Sequence, residues 1–361
     1  MTDPTLVTDT TDAPRTVLHL IGSPVDEFHA ELSRLYGGAC LRALHDPDRY
    51  RAVVAYVAPD GSWRFAPDVT PEALAAAEPR TAAEAIAHVA TLGVDVMVPQ
   101  MFCLPGMTSY RSLFDVLGIP FVGNTAEVMA IAADKARTRA IVAAAGVPVP
   151  PGRVVFDDAA VDVDLPVVVK PVGSDNSVGV TLVRDRRDYA DAVRLALAEG
   201  GGALVESYVE LGREVRCGIV VRDGELVCLP LEEYAVDADT KPIRGRDDKL
   251  ARSTDDELYL VAKDASRAWI VPTDDPVTER VWEVARRCHE ALGCRHYSLF
   301  DFRIDPDGQP WFLEAGPYCS FADSSVIAVM ASAAGLSVRR LFADALTELD
   351  REGSTSCTSP L

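Results

Sequence analysis

The stretch from Tyr297 to Ser325, YSLFDFRIDPDGQPWFLEAGPYCSFADSS, constrains this chain more than any other. Residues 297–304 and 310–313 are rich in aromatic and branched side chains, and Pro306-Asp307-Gly308-Gln309 between them carries turn chemistry, so the segment predicts a β-hairpin. With Asp305 opposite Pro310, antiparallel counting sets Asp301 opposite Glu314. Facing side chains lie about 5 Å apart on one sheet face, and like charges there are destabilising. A hairpin built this way calls for a cation between its carboxylates, and a hard divalent ion, Mg²⁺ or alternatively Mn²⁺, prefers such oxygen donors. The competing reading is a surface hairpin with solvated acids, and the stretch alone does not choose.

Upstream, strand and helix signals alternate. Residues 15–21, 50–57 and 95–99 read as strands, and 25–44, 71–78 and 81–92 as helices, which predicts a parallel α/β layer up to about residue 125. Helices over 126–133 and 135–145 follow, the second stopped by Gly146 and the prolines at 148, 150 and 151. Strands over 166–171, 180–183 and 203–208 surround a polar loop at 172–179 and a helix at 187–199. Residues 214–222 and 225–231 predict a second hairpin turning at Asp223-Gly224. The charged, aperiodic stretch 232–276 reads as a lid or as disordered. A helix over 276–292 delivers the first hairpin, and helices over 326–334 and 338–349 close the fold. The expected organisation is a disordered leader 1–14, an N-terminal α/β domain 15–125, a central subdomain 126–208, a C-terminal subdomain 209–350 with a lid at about 232–276, and a disordered tail 351–361.

A chain of 361 residues with 48% apolar content can bury cores of enzyme size. Its net charge of −20 argues against nucleic acid or a membrane surface as partner. Eight cysteines without a disulfide-like framework suggest a reducing cytosol. Cys288-His289 and Cys294-x-His296 match no standard zinc spacing, so buried thiols are the better reading. The first residues lack signal-peptide features and no apolar run reaches ~18 residues, so a cytoplasmic protein is expected.

An acidic protein that handles a polyanion must concentrate cations locally. Lys170 ends the apolar run LPVVVK beside the loop 173–179, where a lysine and loop N–H groups together suit phosphate oxygens. The chain contains no Walker-type GxxxxGK[ST] motif. Lys135, in ADKAR, is a second candidate, with an ordinary solvated helix residue as the alternative. Glu206 and Glu214 bracket the turn 210–213 and could accept from an adenine or a ribose, or pair with Arg213 or Arg216. Gln100, Cys103 and Tyr110 follow an N-terminal strand, where α/β sheets bind ligands, with loop packing as the alternative.

Taken in order, the DK lysine, the VKP lysine, the small-residue loop, the E…GRE hinge and the carboxylate hairpin resemble the ATP-grasp ligases, within them the D-alanine–D-alanine ligase branch, from about residue 15 to 349. The resemblance implies an α/β (α+β ATP-grasp) fold with a Rossmann-like N-terminal domain. It implies ATP on Lys135, Lys170, Ser177, Glu206, Val209 and Glu214, and Mg²⁺ on Asp301 and Glu314. Ser325, with Ser324 beside it, matches the serine that holds the attacking amino acid's carboxylate. Lys241 and Lys249 lie in the lid, Lys249 being the candidate for the γ-phosphate. A homodimer is likewise implied.

The chain departs from that branch where the acceptor binds. The arginine two residues before the metal-binding aspartate is Leu299 here, the E-x-N motif is Glu314-Ala315-Gly316, and PGMT is replaced by residues 319–322, CSFA. Arg303, on the same strand face as Asp301, is the candidate to take over the oxyanion role. The stretches PQMFCLPGMTSYRSLFD, KPVGSDNSVGV, ELGREVRCGI and HYSLFDFRIDPDGQPWFLEAGPYCSF are similar to the ligases of mycosporine-like amino acid biosynthesis. That resemblance implies ATP-dependent condensation of an amino acid, serine or threonine, with mycosporine-glycine, giving a disubstituted, UV-absorbing mycosporine-like amino acid. The alternatives are a D-Ala-D-Ala-type dipeptide ligase and a non-catalytic ATP-binding regulatory protein.

Overall fold

The structure is a computed structural model and describes residues 13–159, 164–174, 178–243, 250–252, 258–260 and 267–356. The expected leader lies outside these residues except for its last two. In the N-terminal part, β1 (Arg15–Gly22) precedes α1 (Glu27–Ala43), whose N-cap Asp26 accepts from the His29 N–H at 2.8 Å. Then come β2 (Tyr50–Val57), β3 (Trp63–Ala66), α2 (Pro71–Ala76), α3 (Ala82–Val89) and β4 (Val96–Pro99). The sheet order is β3-β2-β1-β4, parallel except for β3, which the sequence reading did not anticipate. The helices α4 (Leu104–Met107) and α5 (Ser109–Val116) follow, so Tyr110 lies on a helix and not in the expected loop.

Two further helices, α6 (Ala126–Ala132) and α7 (Lys135–Ala144), lead to a second sheet. It comprises β5 (Gly152–Val155), β6 (Val167–Pro171), β7 (Thr181–Val183) and, after α8 (Tyr189–Ala198), β8 (Ala203–Ser207), in the order β5-β8-β6-β7. Every neighbouring pair in it is antiparallel.

The third sheet contains β9 (Arg213–Arg222), β10 (Glu225–Cys228), β11 (Glu232–Tyr234), β14 (Ala268–Ile270), β15 (Tyr297–Ile304) and β16 (Pro310–Ala315). Both ends of the expected lid are therefore sheet strands, with β11 pairing both β9 and β14. Between them β12 (Leu250–Arg252) and β13 (Leu258–Leu260) form a two-stranded ladder. Three helices complete the chain: α9 (Thr278–Ala291) before β15, then α10 (Val326–Ala333) and α11 (Val338–Ser356). The last runs through Ser356, well into the stretch expected to be a tail.

Every residue of β15 is buried, and period-two alternation divides its work. Phe300, Phe302 and Ile304 enter a core with α9, whereas Tyr297 and Leu299 enter another with α10, α11 and the N-terminal sheet. Polar clasps join the N-terminal part to the start of β15: Asn124 Nδ2 donates to the Tyr297 and Pro317 carbonyls at 2.8 and 2.7 Å, and Gly123 N–H donates to His296 Nδ1 at 2.9 Å.

The cysteine–histidine cluster is packing. Among the described residues no group of three His, Cys, Asp or Glu is placed to hold a metal. Burial pushes the Cys294 thiol up to about 12, and it lowers the imidazoles of His19 and His289 to about 4. A histidine held neutral in this way contributes stability that is fully present above its unfolded value of 6.5 and is lost as pH falls toward 4, because the unfolded chain takes up protons that the folded chain refuses. The urea-unfolding midpoint is expected to drop over that window, and His289→Gln to flatten part of the slope. An unchanged slope in the variant would rule His289 out.

Candidate active site

The opening hairpin pairs as its turn chemistry requires, but by a different route. Ile304, not Asp305, stands opposite Pro310, and a bulge at Leu313 then restores the count, so that Asp301 does face Glu314. Strand β9 lies on the other side of β15, and its register sets Glu214 opposite Arg303 and Arg216 opposite Asp301. Two cross-strand acid–base pairs thus stand side by side on one face, which is the stabilising arrangement for charges in a sheet.

The geometry follows that register. Arg303 Nη2 donates to Glu214 Oε2 at 2.6 Å and to the Pro242 carbonyl at 2.8 Å, and Arg303 Nη1 donates to the Val209 carbonyl at 3.3 Å. Its guanidinium lies 5.2 Å from the Tyr208 ring centre. The Arg303 and Glu214 side chains are only 5% and 6% exposed, so this is a buried pair tied into the hinge. Arg216 uses Nε and Nη2 on Asp301, the second contact being 3.1 Å. Burial alone opposes the charge of Arg216, but Asp301 and then Tyr234 hold its pKa well above the ordinary arginine value.

Across the cleft, β6 of the second sheet supplies Lys170 and the start of α7 supplies Lys135. Lys170 Nζ is 2.6 Å from Glu206 Oε2 and 3.5 Å from the Leu313 carbonyl. Arg139, one turn beyond Lys135 on α7, also reaches Glu206, at 3.2 Å. Glu206 faces Gly152 across β5 and β8, and a Cβ at that glycine would come within 2.8 Å of the glutamate side chain, so only glycine lets the strands present it this way. Lys135 Nζ lies 3.1 Å from Glu314 Oε1 and also donates to the Ser174 carbonyl. The start of α7 is fixed by its N-cap Asp134 and by the Lys135 N–H donating to the Val172 carbonyl at 3.0 Å.

Lys135, Lys170, Glu206, Val209, Glu214, Asp301, Arg303 and Glu314 accordingly line one cleft between the two sheets, with about 840 Å³ of empty space including its open mouth. The apolar walls come from Val168, Val180, Ile243 and Leu313 among others. A slot lined by two lysines, buried acids and backbone carbonyls between apolar walls suits a nucleotide: cations for phosphates, apolar walls for a base, acceptors for its polar edge.

Other expected site residues fall elsewhere. Cys103 and Tyr110 pack into the N-terminal core, Tyr110 at 5.6 Å from the Trp63 ring. Gln100 is fully buried and donates to the Ser320 carbonyl at 2.8 Å, joining the N-terminal part to the loop after β16. Ser325 is buried at the start of α10 and Ser324 is exposed. Ser177 and Lys249 lie outside the described residues. Arg139 and Arg216 were missed as site residues, although their spacing from Lys135 (i, i+4) and Glu214 (i, i+2) is the signal that puts them on the same faces.

For a divalent ion the donor set is two facing carboxylates, Asp301 and Glu314, each already next to a cation. The third position of the family motif, Gly316, offers no donor side chain, and the Tyr318 ring covers it 3.6 Å from where a Cβ would stand. Two carboxylates fit an ion that completes its coordination with substrate phosphates and water, the common habit of Mg²⁺.

The fold and the cleft define an ATP-grasp ligase. The family described as D-ala D-ala ligase C-terminus matches residues 153–347, just over half of the chain. The D-alanine–D-alanine ligase of Mycolicibacterium smegmatis is 29% identical over 346 residues, covering 86% of this chain and 90% of that one, and that of Mycobacterium tuberculosis is 28% identical over 351 residues with the same coverage. Among solved structures, the VanG D-Ala:D-Ser ligase of Enterococcus faecalis superposes with a TM-score of 0.74 at 20% identity, covering 93% and 99% of the two chains. The Bacillus anthracis D-alanine–D-alanine ligase complexed with ATP gives 0.70 at 18% identity, covering 95% and 99%. This chain belongs to the D-alanine–D-alanine ligase family and is an ATP-dependent, C–N bond-forming ligase of that family.

Proposed function

We propose that this ligase condenses an amino acid, serine or threonine, with mycosporine-glycine, a cyclohexenone bearing a glycine substituent. The observation that carries the reading is the paired departure at Leu299 and Gly316. The Gly316 N–H donates to the Leu299 carbonyl at 2.8 Å, so the two altered positions are direct neighbours. Leu299 is 5% exposed within an apolar core, and Tyr318 covers Gly316. An arginine that would steady the oxyanion of an amine attacking an acyl phosphate is therefore absent from its place, and Arg303 is engaged at the hinge.

In this reading ATP transfers its γ-phosphoryl group to the ring carbonyl oxygen and ADP leaves. The amine of the amino acid then attacks the activated ring carbon, a C–N bond forms, the C–O bond to phosphate breaks, and the nitrogen gives up its protons to yield an imine-linked product. Lys135 and Lys170 neutralise the phosphates, while Glu206, Val209 and Glu214 hold the adenosine end. Asp301 and Glu314 would hold Mg²⁺ or Mn²⁺, which supplies charge neutralisation across the phosphates. Small-molecule substrates and a homodimeric assembly go with this reading.

A dipeptide ligase is the second reading, and the names of the curated relatives favour it. A mass-resolved assay of ATP, Mg²⁺ and mycosporine-glycine against a panel of amino acids, with D-alanine alone in parallel, separates the two. With isotopically labelled ring oxygen, label is expected in phosphate, and label retained in the organic product overturns the mechanism. D-alanyl-D-alanine with no ring product establishes the second reading instead.

A further inference from the structure

Arg216 is a half-buried cation in the sheet wall, its side chain 14% exposed, and its surroundings are aromatic. Tyr234 on β11 lies under its guanidinium at 5.4 Å, and its charge acts on Tyr36 of α1, where burial raises the phenol pKa and Arg216 opposes the rise. Tyr36 meets Phe102 edge to face at 5.2 Å, and Phe102 meets Tyr318 at 6.0 Å. These four rings come from four separate segments, and all are only half-buried. Rings that fill a core are covered, whereas these leave aromatic surface uncovered around a charge where α1, residue 102, β11 and the loop after β16 meet.

The guanidinium has capacity to spare. Nε and Nη2 engage Asp301, and Nη1 has no hydrogen-bond partner among the described residues. A planar five-donor fork can hold one carboxylate on one edge and accept another on the next. A chain of net charge −20, with Asp301 and Glu314 facing each other next to Arg216, would repel an anionic substrate unless a fixed cation received it. The departure at Gly316 belongs to the same construction. A Cβ there would touch the Tyr318 ring in ordinary contact, and a longer side chain would need the space the phenol occupies.

We propose that Arg216, held by Asp301 and ringed by Tyr36, Phe102, Tyr234 and Tyr318, receives a carboxylate carried by a flat ring substrate and determines specificity for it. The aromatic faces provide a slot for a planar conjugated ring, and the guanidinium fixes its anionic arm. This inference rests on the ring-substrate reading above. It goes beyond that reading by assigning the ring's anionic substituent to one residue.

The test compares mycosporine-glycine with its primary amide in wild type and in Arg216→Lys, which keeps a positive charge beside Asp301 but loses the fork. Wild type is expected to prefer the carboxylate by about 10- to 100-fold in kcat/KM, the worth of a charge-assisted hydrogen bond. The lysine variant is expected to lose most of that preference while its KM for ATP holds. In Tyr318→Leu, which retains Arg216, KM for the ring substrate should rise and KM for ATP should not. Full preference retained in Arg216→Lys overturns the inference and leaves the ring-substrate reading standing. Absence of any ring product from wild type overturns that reading and the inference with it.

Discussion

Replacing Lys170 by methionine is expected to lower ATP-dependent turnover by about 10²- to 10³-fold, the usual cost of removing one preorganised charge from a developing anion. The fold should survive. Glu206 loses the ammonium 2.6 Å away but keeps Arg139 at 3.2 Å, so no bare carboxylate is left in the wall. The methionine stem retains the packing of β6 at a position that is only 7% exposed. Steady-state ADP release with the amino acid and ring substrate present measures the effect, alongside a thermal melt. Turnover close to wild type would mean that the phosphates lie elsewhere than between Lys135 and Lys170.

Arg303→Met should produce the largest loss of stability, about 3 to 5 kcal/mol, because it strips the cation from a carboxylate buried beside it. The loss has a second component. Arg303 also joins the Val209 and Pro242 carbonyls, so its removal loosens the turn before β9 and the segment after β11 together. Adding Glu214→Gln to the methionine variant should recover part of the loss, since a neutral amide is far cheaper to bury than a carboxylate. Urea unfolding of the two single variants and the double variant closes the cycle. If Arg303→Met costs less than ~1 kcal/mol, the pair behaves as an exposed ion pair and the buried hinge is wrong.

Much of the site was legible because its parts are local. Turn residues at 306–309 and alternating apolar residues on either side specify a hairpin, and the order of lysines, loop, hinge and hairpin specifies the kind of ligase. Errors gathered where local signals are short or absent. The strands β3, β5, β11 and β14 have only three or four residues, too few for a period to show against loop composition. The bulge at Leu313 was invisible for another reason: a one-residue register shift leaves no composition signature, and here it cancelled the misjudged turn.

The sequence by itself therefore determined the fold class and the order of the chemistry along the chain, both set by near-neighbour periodicity and turn chemistry, whereas the facing of Asp301 on Glu314 depended also on the bulge at Leu313. Only the tertiary structure decided which cation answers which carboxylate. Arg216 meets Asp301 across 85 residues and Arg303 meets Glu214 across 89, through the register of β9 on β15. Local propensity carries no information over such separations. Burial and strand register select those partners jointly.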